Sequence, residues 1–351
     1  MVGSLLIAAG CAAESAASSE STTTSTTTTS TTTTSTTTTV APLPDPALPR
    51  ANSAFDALAR PNAAATMTVV RDGRMVLNRA SGMTIDGAAA TSDSPMVVAS
   101  VSKLLTALMI ARLDGAGSID VEAPMPWFDI GVPTHSGWAD VTLRELLAHT
   151  SGMPVVRQAW FDGGIDCAAF LPTLLDRPPA STRGRWTYSN GNYCALGLLV
   201  EQVTGLPLDA AAQALLFDPI GSTGVHLTTD GQLPTDIAYG LGVERLSRLG
   251  GAGTFIASTD DIALALANAT PADLIVLTWP GVMIDQYGWG HTGTVDGALA
   301  CAWVLEGGRT VIAATVSGGT PSTGGAVCDR IVPAIADDLG VGQGKPDRSP
   351  P

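Results

Sequence analysis

The chain has 351 residues, of which 45% are hydrophobic and 14% charged, so it is long enough for one large domain or two small ones with a sizeable core. Its 18 basic and 32 acidic residues give a formal net charge of −14, which leaves no basic patch for a phosphate backbone and argues against nucleic-acid binding. No run approaches the roughly 20 apolar residues that a membrane-spanning helix needs.

The first residues predict an exported protein. Leu5 to Cys11 form a short apolar run that ends in small residues and a cysteine, and this run resembles the lipobox of bacterial lipoproteins, where the leader is cut before a lipidated cysteine. We therefore interpret residues 1–11 as a signal peptide and expect the protein in the cell envelope or outside the cell. Either Cys11 is lipidated and tethers the chain to a membrane, or the signal is simply cleaved.

A low-complexity segment follows at residues 12–45. Residues 21–39 are all serine or threonine, and residues 40–49 are rich in proline. Such a composition buries no apolar surface, so we expect a disordered tether that holds the next domain away from a surface. The Gly/Pro-rich residues 341–351 are expected to form a tail.

Four cysteines remain when Cys11 is set aside for lipid: Cys167, Cys194, Cys301 and Cys328. Four cysteines allow three pairings, and pairing each with its nearer neighbour gives two loops of equal length. Because disulfides form outside the cytoplasm, we favour two disulfides over four buried thiols.

Residues 46–340 have a mixed pattern of helices and strands. In chain order it predicts a helix over 51–60, strands over 66–71 and 74–80, an amphipathic helix over 100–114, short helices over 143–148 and 193–204, strands over 297–306 and 309–317, and a helix over 326–339. Asp72-Gly73 and Gly307-Gly308 mark the two hairpin turns.

Strands therefore occupy both ends of this domain, and helices fill the middle. We expect an α/β (α+β) fold with one antiparallel sheet flanked by helices and an inserted helical part. The sheet part is predicted to comprise residues 46–112 and 240–340, and the helical part residues 113–239.

Ser100 and Lys103 form a Ser-x-x-Lys pattern at the start of the predicted helix. Residues three apart share one helix face, so the Ser100 hydroxyl and the Lys103 amine are expected to meet. A buried neutral lysine is a base that makes a serine nucleophilic. Lys103 is also the only lysine of the domain, since all other basic residues except Lys345 in the tail are arginine, which does not give up its proton.

Two further polar segments are candidates for the same site. Tyr188-Ser189-Asn190 precedes the helix over 193–204, and it offers a phenol for proton transfer and an amide for a substrate carbonyl. Gly290 to Thr294 (Gly-His-Thr-Gly-Thr) precedes the strand over 297–306, where glycine lets a ligand approach the backbone and His291 offers a polar or cationic group.

The three motifs, in this order, resemble the serine β-lactamase-related and D,D-peptidase superfamily, in particular its branch of class C β-lactamases, D-alanyl-D-alanine carboxypeptidases and related serine esterases. The segments at 143–154 (LRELLAHTSGMP), 217–221 (FDPIG) and 250–261 (GGAGTFIASTDD) are similar to other segments of this branch. The resemblance covers about residues 50–335 and implies a β-lactamase/transpeptidase-like fold.

The resemblance also implies a role for each matching residue. Ser100 would be the acylated nucleophile, Lys103 its base or proton relay, Tyr188 a second acid/base and Asn190 the residue that orients the substrate amide. His291, Thr292, Gly293 and Thr294 would bind substrate, with His291 where most β-lactamases have lysine, and the backbone N–H groups of Ser100 and Thr294 would form the oxyanion hole. His149 is expected to be structural, and neither a metal nor a cofactor is expected.

Other hydrolase classes lack support. No serine lies in a Gly-x-Ser-x-Gly pattern, and the four histidines do not form His-Glu-x-x-His. Three interpretations stay open: a D,D-carboxypeptidase acting on peptidoglycan stem peptides, a serine esterase or β-lactamase, and a non-catalytic penicillin-recognising sensor or wall-binding module. Some relatives bind the substrate carboxylate through an arginine shortly before the third motif, but residues 276–290 hold neither arginine nor lysine. We expect a monomer with a small-molecule or peptide substrate.

Overall fold

The computed structural model describes residues 47–61, 63–162, 164–239, 245–277, 282–318 and 321–341. The predicted leader with Cys11, the tether at 12–45 and Lys345 in the tail lie outside the described residues. What is described is a mixed α/β domain with an antiparallel sheet flanked by helices, as the sequence predicts.

The strands of the described residues are β1 (Ala65–Arg71), β2 (Arg74–Ser81), β3 (Met96–Val97), β4 (His226–Leu227), β5 (Phe255–Ala257), β6 (Met283–Ile284), β7 (Gly288–Val295), β8 (Ala298–Leu305) and β9 (Thr310–Ser317). Six of them form one sheet in the order β2-β1-β9-β8-β7-β6, and a small second sheet has the order β3-β5-β4. Strand β4 lies within the part that we expected to be helical.

The α-helices of the described residues are α1 (Pro49–Asp56), α2 (Ser102–Gly115), α3 (Leu143–Leu147), α4 (Cys167–Phe170), α5 (Pro172–Leu175), α6 (Asn190–Thr204), α7 (Leu208–Ala212), α8 (Thr259–Ala267), α9 (Pro271–Leu277) and α10 (Gly324–Leu339). Within the described ranges no single helix is long and apolar enough to cross a membrane. The pair Asn190–Thr204 and Leu208–Ile220 reaches that length only together and is bent by 76°.

The large sheet joins the two ends of the domain. Strand β1 pairs antiparallel with β2 on one side and with β9 on the other, in a register that runs from Ala65 opposite Val316 to Arg71 opposite Thr310. The prediction that strands from both ends share one sheet is therefore confirmed.

Both predicted hairpins are present. Strands β1 and β2 are joined by Asp72 and Gly73, whose φ angles of 52° and 73° give the left-handed turn that matches the twist of paired strands. Strands β8 and β9 are joined by a turn in which Glu306 and Gly307 also have positive φ.

Apolar cores cover both faces of the large sheet. On one face, side chains of the sheet such as Met67 and Val69 pack with α1 and with Ile331 of α10. On the other face, Val70 and its neighbours join the larger core around α2, α6 and α8. Because alternate strand residues point to opposite faces, this three-layered arrangement buries nearly every residue of β1, β8 and β9.

Helix α2 is more central than its sequence pattern predicts. We expected an amphipathic helix, but residues Lys103 to Ala111 are all buried, since helices surround the side that faces away from the sheet. The helix also begins later than predicted: residues Ala99–Val101 form a separate 3-10 turn, and α2 begins at Ser102. Conversely, α6 begins earlier, at Asn190.

Each cysteine of the domain pairs with its nearer neighbour. Cys167–Cys194 joins α4 to α6, and Cys301–Cys328 joins β8 to α10, each across a sequence separation of 27 residues. Both disulfides thus attach helices to elements of the core.

Replacing Cys301 and Cys328 together by alanine is expected to lower the free energy of unfolding by about 3–4 kcal/mol, because the unfolded chain regains the entropy that the closed loop removes. Urea unfolding followed by tryptophan fluorescence measures the change. A loss below about 1 kcal/mol would show that the β8–α10 contact holds without the covalent link.

Candidate active site

Ser100 lies in the 3-10 turn between β3 and α2, half-buried. The residue before it, Ala99, has a φ of 47°, a left-handed conformation that costs free energy for a residue with a Cβ. Such strain persists only where the surrounding fold imposes it, and it is common at sites of chemistry. Here the kink presents the Ser100 side chain to two polar groups: the Tyr188 hydroxyl is 2.9 Å and the Lys103 Nζ atom 3.2 Å from its Oγ atom.

Lys103 lies one turn along the chain, with only 1% of its surface exposed. Its Nζ atom donates to the Asn190 side-chain oxygen at 2.9 Å and to the Ala252 backbone carbonyl at 2.6 Å. Burial lowers the pKa of the Lys103 amine well below its usual 10.5. A neutral amine has two N–H donors and one lone pair, so Asn190 and Ala252 take the donors and leave the lone pair for the Ser100 hydroxyl proton.

Tyr188 and Asn190 lie beside Ser100 and Lys103 because Ser189, between them, is the residue at which helix α6 is capped. The Ser189 backbone is extended, and its hydroxyl oxygen accepts from the Gly191 backbone N–H at 3.3 Å as the N-cap of α6. Burial raises the pKa of the Tyr188 phenol to about 12, although the hydrogen bond with Ser100 acts in the opposite direction. The phenol is therefore protonated at neutral pH.

His291 is buried next to Tyr188, with their ring centroids 6.1 Å apart. Its Nδ1–H donates to the Thr292 carbonyl at 2.7 Å. Burial, and then the nearby Lys103, lower the pKa of the imidazole to about 3. We expected a polar or cationic group here, and a pKa of about 3 favours the polar alternative, because the imidazole is then neutral at neutral pH.

The segment from Gly290 to Thr294 forms part of strand β7 and, as expected, precedes the next strand, β8. Gly293 lets β7 pass close to the turn that carries Ser100, since a Cβ at this position would collide with the Val98 carbonyl oxygen. Thr292 and Thr294 point to the other face of the strand, and the Thr294 hydroxyl accepts from the Gly324 backbone N–H at 2.9 Å.

The structure thus joins Ser100, Lys103, Tyr188 and Asn190 through direct hydrogen bonds and places His291 beside them. Thr292, Gly293 and Thr294 lie along the neighbouring stretch of β7. The model of the family described as "Beta-lactamase" matches residues 52–336. The chain belongs to the beta-lactamase family.

Relatives in this family have varied names. The protein is 32% identical over 177 residues to Esterase EstB of Burkholderia gladioli, and this alignment covers 45% of each chain. It is 25% identical over 210 residues to the Putative penicillin-binding protein PbpX of Bacillus subtilis, covering 56% of this chain and 52% of that one. The chain therefore aligns with about half the length of each of these two relatives. Our prediction of a serine hydrolase agrees with the family.

Solved structures support the same fold. The D-amino acid amidase of Ochrobactrum anthropi SV3, complexed with L-phenylalanine amide, superposes with a TM-score of 0.66 at 19% identity and covers 83% of this chain and 99% of that chain. At this identity the likeness shows that the two proteins share a β-lactamase-like fold.

Sequence reasoning missed one member of the site, the Ala252 carbonyl that accepts from Lys103. The Ala252 carbonyl is a backbone group, so no residue type signals it. His149, which we expected to be structural, lies against the Tyr188 ring with centroids 4.7 Å apart.

The described residues contain no group of three or more His, Cys, Asp or Glu side chains that could hold a metal ion.

Proposed function

We propose that the protein is a serine acyl hydrolase that works through a covalent acyl-enzyme on Ser100. One observation carries this proposal: the Ser100 Oγ atom lies between a buried amine at 3.2 Å and a protonated phenol at 2.9 Å. A serine in this setting has a base for its own proton and an acid for a leaving group.

Acylation would proceed by three proton transfers. Neutral Lys103 takes the Ser100 proton as Oγ forms a bond to the substrate carbonyl carbon, and the carbonyl π electrons move to its oxygen. When the tetrahedral intermediate collapses, the C–N or C–O bond breaks and the Tyr188 phenol gives its proton to the departing amine or alcohol. The Lys103 ammonium then returns the proton to Tyr188, directly or through the substrate.

Hydrolysis of the acyl-enzyme would reverse these roles. Water attacks the ester carbon and its proton passes to the Lys103–Tyr188 pair. The pair then gives a proton to the Ser100 oxygen as the ester C–O bond breaks and the acid product leaves. The backbone N–H groups of Ser100 and Thr294 are proposed to stabilise the oxyanion in both halves, and such donors contribute a few kcal/mol each in other enzymes.

For the substrate we propose cell-wall peptides ending in D-alanyl-D-alanine, with the protein acting as a D,D-carboxypeptidase. Arg245 supports this proposal, because it lines a cleft of about 470 Å³ together with Thr294 of β7. Its Nε–H donates to the Phe161 carbonyl at 3.1 Å, which orients a guanidinium that pairs well with carboxylates. A penicillin-binding protein is among the relatives, and Arg245 offers the cation that residues 276–290 lack.

An esterase is the second candidate. Trp186, two residues before Tyr188, is 55% exposed, and its ring lies 6.4 Å from the Tyr188 ring. An exposed indole at this position offers an uncharged apolar surface to the acyl or alcohol group of an ester, and EstB is an esterase.

A labelled penicillin and two substrates test the proposal on the purified protein. We expect intact-mass analysis to show one covalent adduct and a D-Ala-D-Ala peptide to be hydrolysed faster than a nitrophenyl ester. Faster ester hydrolysis would favour the esterase, and a stable adduct without turnover of either substrate would favour a sensor.

Replacing Arg245 by glutamine is expected to raise KM for the D-Ala-D-Ala peptide about tenfold, because the substrate carboxylate loses a charge-assisted hydrogen bond. KM for the uncharged ester should stay unchanged. Arg177, which is exposed and does not line this cleft, gives the matched control Arg177→Gln with the same loss of charge. Equal KM values for the peptide in both variants would place the carboxylate elsewhere.

We also propose that residues 1–11 direct export and that residues 12–45 separate the domain from the surface to which Cys11 is attached. The two disulfides support export, since such bonds persist in oxidising compartments. We expect labelled fatty acid to be incorporated into the wild type but not into a Cys11→Ala variant.

A further inference from the structure

His149 follows α3 in a backbone conformation with a φ of 55° and is fully buried. Its imidazole packs against two tyrosine rings, with centroid distances of 4.7 Å to Tyr188 and 5.2 Å to Tyr193. The reaction proposed above gives this side chain no part, although it touches the residue that would transfer the proton to the leaving group.

Hydrogen bonds around His149 determine which nitrogen carries its proton. The Met153 backbone N–H donates to the Ser151 hydroxyl oxygen at 3.1 Å, so the Ser151 O–H donates to Asn192 Oδ1 at 2.6 Å. The Asn192 amide is thereby oriented with its NH₂ group towards His149 Nδ1 at 2.8 Å.

A second donor reaches the same nitrogen: the Ser189 backbone N–H lies 3.3 Å from His149 Nδ1. Two donors require Nδ1 to be an unprotonated acceptor, which leaves the proton on Nε2. Nε2 has no hydrogen-bond partner among the described residues. Burial, followed by the positive charges of Lys103 and His291 when they are protonated, lowers the pKa of His149 well below 6.5, so the ring stays neutral.

The Ser189 N–H belongs to the peptide bond that directly follows Tyr188. Accepting this hydrogen bond fixes the plane of that peptide, and the imidazole face limits the tilt of the phenol ring. Together the two contacts hold the Tyr188 hydroxyl at 2.9 Å from Ser100 Oγ.

We propose that His149 is a positioning residue for Tyr188 and acts through its unprotonated Nδ1 atom. This proposal rests on the proposed function, in which Ser100 is acylated with the help of Tyr188. It predicts that the acylation rate depends more on a hydrogen-bond acceptor at the Nδ1 position than on an aromatic ring at residue 149.

Two substitutions separate the acceptor from the ring. His149→Asn keeps an oxygen close to the Nδ1 position and suits a left-handed backbone, whereas His149→Phe keeps a ring but leaves two buried donors without an acceptor. We expect His149→Phe to slow acylation by penicillin roughly tenfold to a hundredfold at saturating penicillin, without a comparable change in its Kd, since a misplaced catalytic group affects the chemical step. His149→Asn should stay within about threefold of the wild-type rate.

Tyr193→Phe is the matched control. It removes a buried hydrogen bond, from the Tyr193 hydroxyl to the Leu147 carbonyl at 3.1 Å, and keeps the ring that packs against His149. Its Tm should fall, because a buried carbonyl loses its partner, while its acylation rate stays at the wild-type value.

Wild-type acylation by His149→Phe, or equally slow acylation by His149→Asn and His149→Phe, would overturn the proposal. If His149→Phe does not fold, His149→Gln, whose carbonyl lies one bond farther out, replaces it with the same expected loss. A wild type that forms no adduct on Ser100 would instead contradict the proposed function, so the two failures are distinguishable.

Discussion

Replacing Ser100 by alanine is expected to abolish the penicillin adduct and to reduce turnover by roughly 10⁴- to 10⁶-fold, as loss of a nucleophile does in other serine hydrolases. The fold should be retained, because the change removes one half-buried oxygen atom and leaves the strained Ala99 and the start of α2 intact. Intact-mass analysis with a labelled penicillin and a thermal unfolding curve measure both quantities.

Ser102→Ala is the matched control for this substitution. The Ser102 hydroxyl is buried two residues farther along the chain and accepts from the Phe255 backbone N–H at 3.2 Å. Its loss should reduce stability by about 1–3 kcal/mol, the usual cost of an unpaired buried donor, and leave acylation in place. A Ser100→Ala protein that still forms the adduct would show that another residue is the nucleophile.

Lys103→Arg is expected to lose acylation about as severely as Lys103→Ala, on the order of 10²- to 10⁴-fold, which is typical of losing a general base. Arginine keeps the charge but does not accept the Ser100 proton, and its planar group does not fit between Asn190 and the Ala252 carbonyl. Acylation rate constants of both variants and the wild type across pH 5–10 provide the measurement.

The acylation rate of the wild type is expected to depend on pH in the direction that a lysine base requires. Lys103 is a base only when deprotonated, so the acylation rate rises as pH increases through the pKa of Lys103, which burial places well below 10.5. No second fall in rate is expected within pH 5–10, because burial raises the pKa of Tyr188 to about 12 and the phenol keeps the proton that it gives to the leaving group. Near-wild-type acylation by Lys103→Arg would mean that a fixed charge suffices, and Tyr188 would then be the base.

Local geometry explains what could be predicted from the sequence. Ser100 and Lys103 are three residues apart, and the 3-10 turn that leads into α2 brings them together much as one helical turn does. Two-residue turns such as Asp72-Gly73 predict their hairpins, because positive φ and strand twist are local properties. The approach of Tyr188 and Asn190 to Ser100 spans almost ninety positions, and only the resemblance of the motifs to a known family suggested it.

Features that depend on long-range packing escaped prediction. The lowered pKa of His291 results from burial beside Tyr188 and then from the nearby Lys103, which its glycine-rich sequence does not reveal. Strands β3 and β4 have two residues each, too few for a period of two to be recognised. Arg245 faces the same cleft as Thr294 from a distant part of the chain, and no spacing rule connects the two residues.

The position of β1 between β2 and β9 determines when the domain is able to form. Thr66 in β1 contacts Thr315 in β9, 249 residues farther along the chain, through a buried hydroxyl pair. While a ribosome is still making the intervening residues, β1 has β2 on one side and an open hydrogen-bonding edge on the other. The nascent chain therefore has to keep an apolar, aggregation-prone strand apart from other chains until the last strand arrives. The large sheet is therefore completed only late in biosynthesis. Contacts between such distant residues make folding slow, and until then the chain depends on protection from aggregation.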